Sequence, residues 1–529
     1  MLLGRTQSPT FFKRIPPQAW MTEAGLLDQV VVYGCTGSGR TETLLAMAIN
    51  AATQTPAPTV NQYSPPTQHA QALQRSVVMM DGNGDNTLHV RTTAALLARK
   101  VDRAALRVIN LMTGAVDIQP RHKLSHSVDL FDGMDEYTIE RWLRGVLADN
   151  QALTEIARGR VDDIVPGVVR LAVTFSNQTG ERLRPSDLGQ VMTEKGLKEH
   201  AQREGEMGGL AQQLYAWTWG DRADPVMAQA MTEIHQWLQP LWTSHAHVFN
   251  SSQPELSLHT LFDTPAFVLI LAPSMERAAD HVRALTRSIT CALHLNIKKQ
   301  PVSHHCRLAV FLDRFNLCLD PKDLLGWRRV GNHGTAVVWG DDGPETMREK
   351  DGKPAVKGQG NYWPQQTGAP GTHVLMHQCS HPTHGGHYDE QYMRAYVDMD
   401  PKNKKAGEHS FGRMHPGEAV IRTDDSTVNV QMSYIDAPRP TTLMLERPAI
   451  LDVHGYSLSG GAVVVAPTHR QARVLLQRWQ EWQNANPHPP SLAWTQETLA
   501  RMLGFSNWHE ASKRLGKPAL KQAGETGKT

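Results

Sequence analysis

Apolar residues in this chain come in short unbroken runs, set apart by polar or helix-period spans. The runs are VVVY (30–33), SVVMMD (76–81), LRVINLM (106–112), AFVLILA (266–272), RLAVFLD (307–313), TAVVWGDD (335–342) and THVLMH (372–377). Continuous rather than alternating runs predict strands buried on both faces, that is, a mostly parallel, doubly wound α/β sheet with helices on either side. Between 113 and 262 the strand rhythm stops and apolar positions recur at helical spacing, as in TIERWLRGVLADNQALTEIA and MAQAMTEIHQWLQPLW. This predicts an all-α insertion inside the α/β domain. GEAVIRTDDSTVNVQMSYI (417–435) reads as two strands joined by a polar turn, a hairpin expected at the far edge of the sheet. The Gly-, Pro- and Lys-rich segment 347–371 reads as a loop, NANPHPPS (484–491) as a linker, and the end of the chain as a small helical tail. The expected parts are therefore 1–112, 113–262, 263–470 and 471–529.

Length, charge and cysteines narrow the class. A chain of 529 residues exceeds one ordinary core. With 40% hydrophobic and 20% charged residues and a net charge of +2, it reads as globular, with no whole-protein field toward nucleic acid or acidic lipid. Five scattered cysteines argue for a reducing compartment rather than a disulfide framework. No apolar run approaches the roughly 18 to 20 residues that cross a bilayer, and the first residues lack the pattern of a signal peptide. The expectation is a cytoplasmic protein without a membrane span of its own.

The candidate chemistry begins at GCTGSGRT (34–41), between a strand and a helix. Gly34 and Gly39 take the first and sixth positions of a phosphate-binding loop, and Thr41 the hydroxyl position that holds magnesium. Gly34, Cys35, Thr36, Gly37, Ser38, Gly39, Arg40, Thr41 and Glu42 form the candidate nucleotide-binding set. Converging backbone N–H groups and the start of the following helix favour an anion there. The lysine position, however, holds Arg40, whose planar fork keeps the charge and changes the shape. A matching acidic strand end is Asp313, the candidate magnesium aspartate, with Asp313 and Arg40 as candidate catalytic groups. The glutamate expected next is Arg314. Two arginines at chemistry-bearing positions leave ATP hydrolysis in doubt. Asp320, Asp341 and Asp342 are nearby carboxylates that substitute only if the fold brings them to the phosphate.

In order along the chain, GCTGSGRTETLL, VVMMDGNGDNTLHVR, LRVINLMTG, RLAVFLDRF, GTAVVWGDD and HPGEAVIRTDDSTVNVQMSYI resemble the motor domain of type IV secretion and conjugation coupling proteins, in the TrbC and DotL (IcmO) branch of plasmid transfer and type IVB secretion. The resemblance spans roughly residues 20 to 440 and implies a RecA-like P-loop NTPase with an all-α insertion. It further implies ATP and Mg2+ as cofactors, and a homo-oligomeric, hexameric ring that hands DNA or protein to a secretion channel. A membrane-anchored partner at the inner membrane is implied too, because the helices that precede the motor in that family are not found here. The function implied is a coupling-protein-like subunit. The alternatives are a catalytically degenerate nucleotide-binding scaffold of the same apparatus, and a DNA-binding accessory factor acting through the tail.

Weaker signals remain. His377, Cys379, His381, His384 and His387 have spacings that suit zinc, although a polar loop is the plainer reading. Asp81, Asn83 and Asp85 suit either a metal or a structural turn. Trp217, Trp219, Trp237 and Trp242 suit base stacking or, more simply, packing of the insertion. From Arg470 onward nine Lys or Arg face four Asp or Glu, so the tail, with Thr495 as N-cap and Leu499, Met502 and Leu503 facing inward, suits a DNA-contacting or a protein-docking helical pair.

Overall fold

The structure, a computed structural model, describes residues 2–6, 18–35, 37–53, 73–82, 88–99, 101–111, 125–148, 153–203, 205–221, 223–272, 275–314, 326–327, 329–341, 371–376, 414, 417–423, 427–432, 442–445, 462–465 and 508–509. The 377–387 cluster, the 484–491 linker, Thr36, Asn83, Asp85, Asp320, Asp342 and the tail residues named above lie outside them.

The chain opens with β1 (Leu2–Thr6), β2 (Gln18–Trp20), α1 (Glu23–Leu27), β3 (Val30–Tyr33), α2 (Arg40–Thr53), β4 (Ser76–Asp81), α3 (Leu88–Ala98) and β5 (Leu106–Asn110). A largely helical stretch follows: β6 (Val128–Asp129), α4 (Glu136–Leu147), α5 (Glu155–Arg158), α6 (Val161–Thr179), α7 (Pro185–Val191), α8 (Glu194–Ala201), α9 (Glu206–Thr218), α10 (Pro225–Leu238), α11 (Ala246–Phe249) and β7 (Leu256–Ser257). The chain then returns to the sheet through β8 (Phe267–Leu271), α12 (Met275–Lys299), β9 (Ser303–Asp313), β10 (His333–Asp341), β11 (Thr372–Met376), β12 (Glu418–Thr423) and β13 (Thr427–Met432). β14 (Thr442–Leu445) and β15 (Ala462–Val465) form a separate antiparallel pair.

One 11-stranded sheet carries the order β2-β1-β13-β12-β11-β3-β10-β9-β4-β8-β5. From β11 to β5 every pairing is parallel, and from β11 outward to β2 every pairing is antiparallel. The hairpin β12–β13 forms as the sequence indicates, but it does not close the sheet. β1 pairs with β13 and β2 with β1, so the sheet runs two strands further than expected. LLGRT and QAW are short and carry no period-2 apolar pattern, which hides them from a reading of hydrophobicity alone.

Helices cover both faces, because each buried strand alternates its side chains between two cores. Val30, Val32, Val77, Met79, Ala309, Phe311 and Val338 meet Leu44, Leu45 and Met47 of α2. Val31, Tyr33, Val78, Met80, Val310, Leu312 and Trp339 face α12 and the helical insertion. The insertion is docked rather than merely tethered. Asp135 caps α4 by accepting from Thr138 N at 2.9 Å, and Ile139, Trp142, Leu143, Val146 and Leu147 form its buried stripe. Trp142 Nε1 donates to the Ser288 carbonyl on α12 at 2.9 Å, while the buried Arg287 donates to the Gly145 carbonyl at 2.7 Å. Of the four insertion tryptophans, Trp237, Trp219 and Trp242 pack into this core, whereas Trp217 is exposed.

His294 on α12 stacks on Trp327 with centroids 5.1 Å apart and planes 17° from parallel. Burial, with Lys298, Arg141 and His333 disfavouring the charged ring, pushes its pKa down to about 4. A histidine kept neutral in the fold but protonated in the unfolded chain stabilises fully above its unfolded pKa of about 6.5 and progressively less as pH falls toward 4. Between pH 7.5 and 5.0 this costs about 2 kcal/mol for that residue. His294→Phe keeps a ring over Trp327, so its urea-unfolding free energy should drop less than the wild type's over this interval; an unchanged drop would contradict the assignment.

Candidate nucleotide site

The candidate site lies at the carboxyl ends of β3, β9, β10 and β4, where open α/β sheets place their ligands. β3 runs into the glycine turn, and α2 begins at Arg40. Gly37 and Gly39 have φ of +89° and +87°, backbone that β-carbon-bearing residues avoid. Gly34 is demanded by space instead, since a Cβ there would stand 2.4 Å from Ser38 Oγ and 3.1 Å from Met376 Cβ. The turn is held by Ser38 N donating to the Cys35 carbonyl at 3.0 Å and Gly34 N donating to the Asp341 carbonyl at 3.0 Å. Gly417 N donates to the Ser38 carbonyl at 2.8 Å, which ties the turn to the antiparallel part of the sheet.

Asp313 ends β9, two strands from β3 with β10 between, and the structure brings it to the turn. Arg40 Nε donates to Asp313 Oδ1 at 2.8 Å, and Thr41 Oγ1 donates to Asp313 Oδ2 at 2.5 Å. Arg40 Nη1 also donates to the Gly34 carbonyl at 2.6 Å, so the guanidinium spans the loop from its last basic position back to its first residue. Arg40 is 5% exposed and Asp313 0%. This is a buried, charge-assisted pair, costly to break from one side because the other charge is then left unpaired.

The crossing over β10 depends on a missing side chain. Gly340 is the Cα partner of Asp313, and a Cβ on it would stand 2.5 Å from Leu44 Cδ1 and 3.1 Å from Asp313 Oδ1. β4 ends beside it: Asp81 is the Cα partner of Asp313 and is fully buried. The sequence places Asp81 at the end of the SVVMMD run and, with Asn83 and Asp85, in a metal-binding or structural turn, not beside Asp313. The signal that finds it here is register, two strands ending in aspartate at equal depth. Asp341 is also buried and is the Cα partner of Tyr33, but it points to the opposite face from Asp313, given the alternation along β10. Glu42 is ion-paired with Arg91 of α3. Arg314 follows Asp313 with φ of +54°, a left-handed conformation rare for such a residue.

Magnesium takes hard oxygens such as a hydroxyl and a carboxylate, and Thr41 and Asp313 supply that pair in contact with each other. The donor types suit the ion, but both oxygens of Asp313 are already engaged, Oδ1 by Arg40 and Oδ2 by Thr41. Among the described residues there is no cluster of three or more His, Cys, Asp or Glu side chains that could hold a metal ion.

A parallel α/β sheet with this loop, an acidic strand end two strands away and a helical insertion defines a RecA-like P-loop NTPase fold. The chain is 30% identical over 129 residues to the Type 4 coupling protein DotL of Legionella pneumophila strain Philadelphia 1, a stretch that is 23% of this chain and 14% of that protein's length. The bacterial conjugative coupling protein TrwBdeltaN70, in an unbound monoclinic form, matches with a TM-score of 0.51 at 13% identity, covering 79% of this chain and 90% of that one. Its trigonal form in complex with sulphate matches with a TM-score of 0.50 at 14% identity, covering 85% and 97%. At such identities the structural likeness is one of fold. No family model matches the chain. The chain is thus similar over one stretch of sequence to one coupling protein, and in fold to another. Among the described residues no helix is long and apolar enough to cross a membrane.

Gly340→Ala should lower the free energy of urea unfolding by about 1 to 3 kcal/mol, the usual cost of overpacking, by driving Leu44 and Asp313 apart. A variant as stable as the wild type would show that the close approach over β10 is not made.

Proposed function

We propose that this chain is a nucleotide-binding, coupling-protein-like subunit of a conjugative-transfer or type IVB secretion apparatus. The observation that carries the reading is the meeting of Arg40, Thr41 and Asp313 at one glycine turn. The amides of the turn and the start of α2 favour the phosphates of ATP. Arg40 supplies a permanent positive charge beside them. Thr41 and, once Arg40 releases it, Asp313 are the residues that would hold magnesium, which when bound supplies charge to the phosphate oxygens. The trigonal TrwB form is described with sulphate, an anion of phosphate-like shape, which supports an anion-binding role for such a fold.

Turnover is a separate matter. Where a water-polarising glutamate is expected the chain has Arg314, and a cation there repels the proton that the attacking water must give up. Asp81, in register with Asp313, is the carboxylate best located to orient that water in its stead. The reading is therefore of a subunit that binds ATP and turns it over slowly, handing DNA or protein to a channel as part of a homo-oligomeric ring with a membrane-anchored partner. The engagement of Asp313 by Arg40 favours, as a second reading, a scaffold of the same apparatus that uses nucleotide only to set its shape.

ATP should bind to the wild type while turnover stays below the about 1 s⁻¹ that marks the low end of ordinary enzymes. Arg40→Lys with Arg314→Glu should raise turnover at least about tenfold, a barrier change of about 1.4 kcal/mol. Binding of ATP with no gain in the double variant supports the scaffold, and failure of the folded wild type to bind ATP overturns the proposal.

A further inference from the structure

The exchange of lysine for arginine at position 40 has a structural consequence at Asp313. That carboxylate is fully buried, and a buried carboxylate requires a cation or a proton close by. In a loop of the ordinary kind a slim ammonium serves the phosphates and a divalent ion faces the aspartate. Here a guanidinium faces the aspartate from within the chain, at the position where the ammonium would stand. Its Nε is 2.8 Å from Asp313 Oδ1 and its Nη1 is 2.6 Å from the Gly34 carbonyl, while Thr41 Oγ1 takes Oδ2 at 2.5 Å. A single ammonium has no such fork, with two donors set rigidly apart to reach a carboxylate and a backbone carbonyl at once. The space that permits the reach is built in: Gly340 leaves β10 bare at the crossing, and Gly34 lets Ser38 close beneath.

We propose that Arg40 is the resident counter-cation of this site, so that the loop binds a nucleoside diphosphate without divalent metal, and a metal ion gains Asp313 only by displacing Arg40. The proposal rests on the nucleotide-binding reading and specifies how that site is regulated: occupancy follows nucleotide concentration and is insensitive to magnesium.

The test measures ADP affinity by calorimetry in excess EDTA and in excess MgCl2, for the wild type and for Arg40→Lys, each first shown to be folded by circular dichroism. The wild-type Kd should change by less than about threefold between the two conditions, while the Kd of Arg40→Lys should weaken about tenfold or more on chelation, about 1.4 kcal/mol. A wild-type loss of tenfold or more, or the same indifference in Arg40→Lys, overturns the proposal. Should Arg40→Lys fail to fold, the wild type titrated with Mn2+ alone and followed by electron paramagnetic resonance decides: no stoichiometric site is expected, and tight binding of one Mn2+ per chain overturns the proposal. Absence of ADP binding by the folded wild type in both conditions defeats the nucleotide reading itself and this inference with it.

Discussion

The salt bridge between Arg40 and Asp313 organises the candidate site, because it joins parts of the chain 273 residues apart and does so without water. Neither charge is tolerable alone at that depth; each is there because the other is. The pair fixes α2, the glycine turn and the end of β9 as one unit. The hydroxyl of Thr41 completes it by occupying the second carboxylate oxygen. An arginine at this position is therefore more than a conservative exchange, since charge is retained while geometry and partner are set by the fork.

The rest of the fold serves that junction by holding strand ends at equal depth. Parallel register aligns Asp81, Asp313 and Gly340 laterally, and the glycine leaves room for Leu44 and the Asp313 carboxylate. Alternation of side chains sends one set of residues toward α2 and the other toward α12 and the insertion. The insertion consequently sits on the face away from the α2 layer, braced to α12 by Trp142 and Arg287. A change of state at the site has a short route to it through β9 and β10, whose Leu312 and Trp339 lie in the insertion's core.

Much of this was legible in the sequence, for physical reasons. Unbroken apolar runs as short as SVVMMD and RLAVFLD suit strands covered on both faces, and all of the runs singled out are strands. The glycine turn was legible because φ and space leave few alternatives to Gly34, Gly37 and Gly39. β1 and β2 escaped because short strands of mixed polarity carry no period, and β1 joins the sheet through a partner more than 400 positions away in the chain, as with Gly4 and Met432. The ion pair escaped for a different reason: Arg40 and Asp313 were both noticed, but as replacements and ligands, each judged against a motif rather than against the other. Only register and burial reveal that the departure at Arg40 is met by direct contact with Asp313.

A double-mutant cycle reads that contact most directly. Urea unfolding of Arg40→Met, Asp313→Asn and the pair of substitutions together gives the coupling between the two side chains free of their separate environments. The account predicts that each single variant is destabilised, by about 3 to 5 kcal/mol where a lone buried charge is left behind, and that the double variant recovers at least about 2 kcal/mol of the summed loss. Additivity within about 0.5 kcal/mol would mean that Arg40 and Asp313 do not meet, and the description of the site would fall.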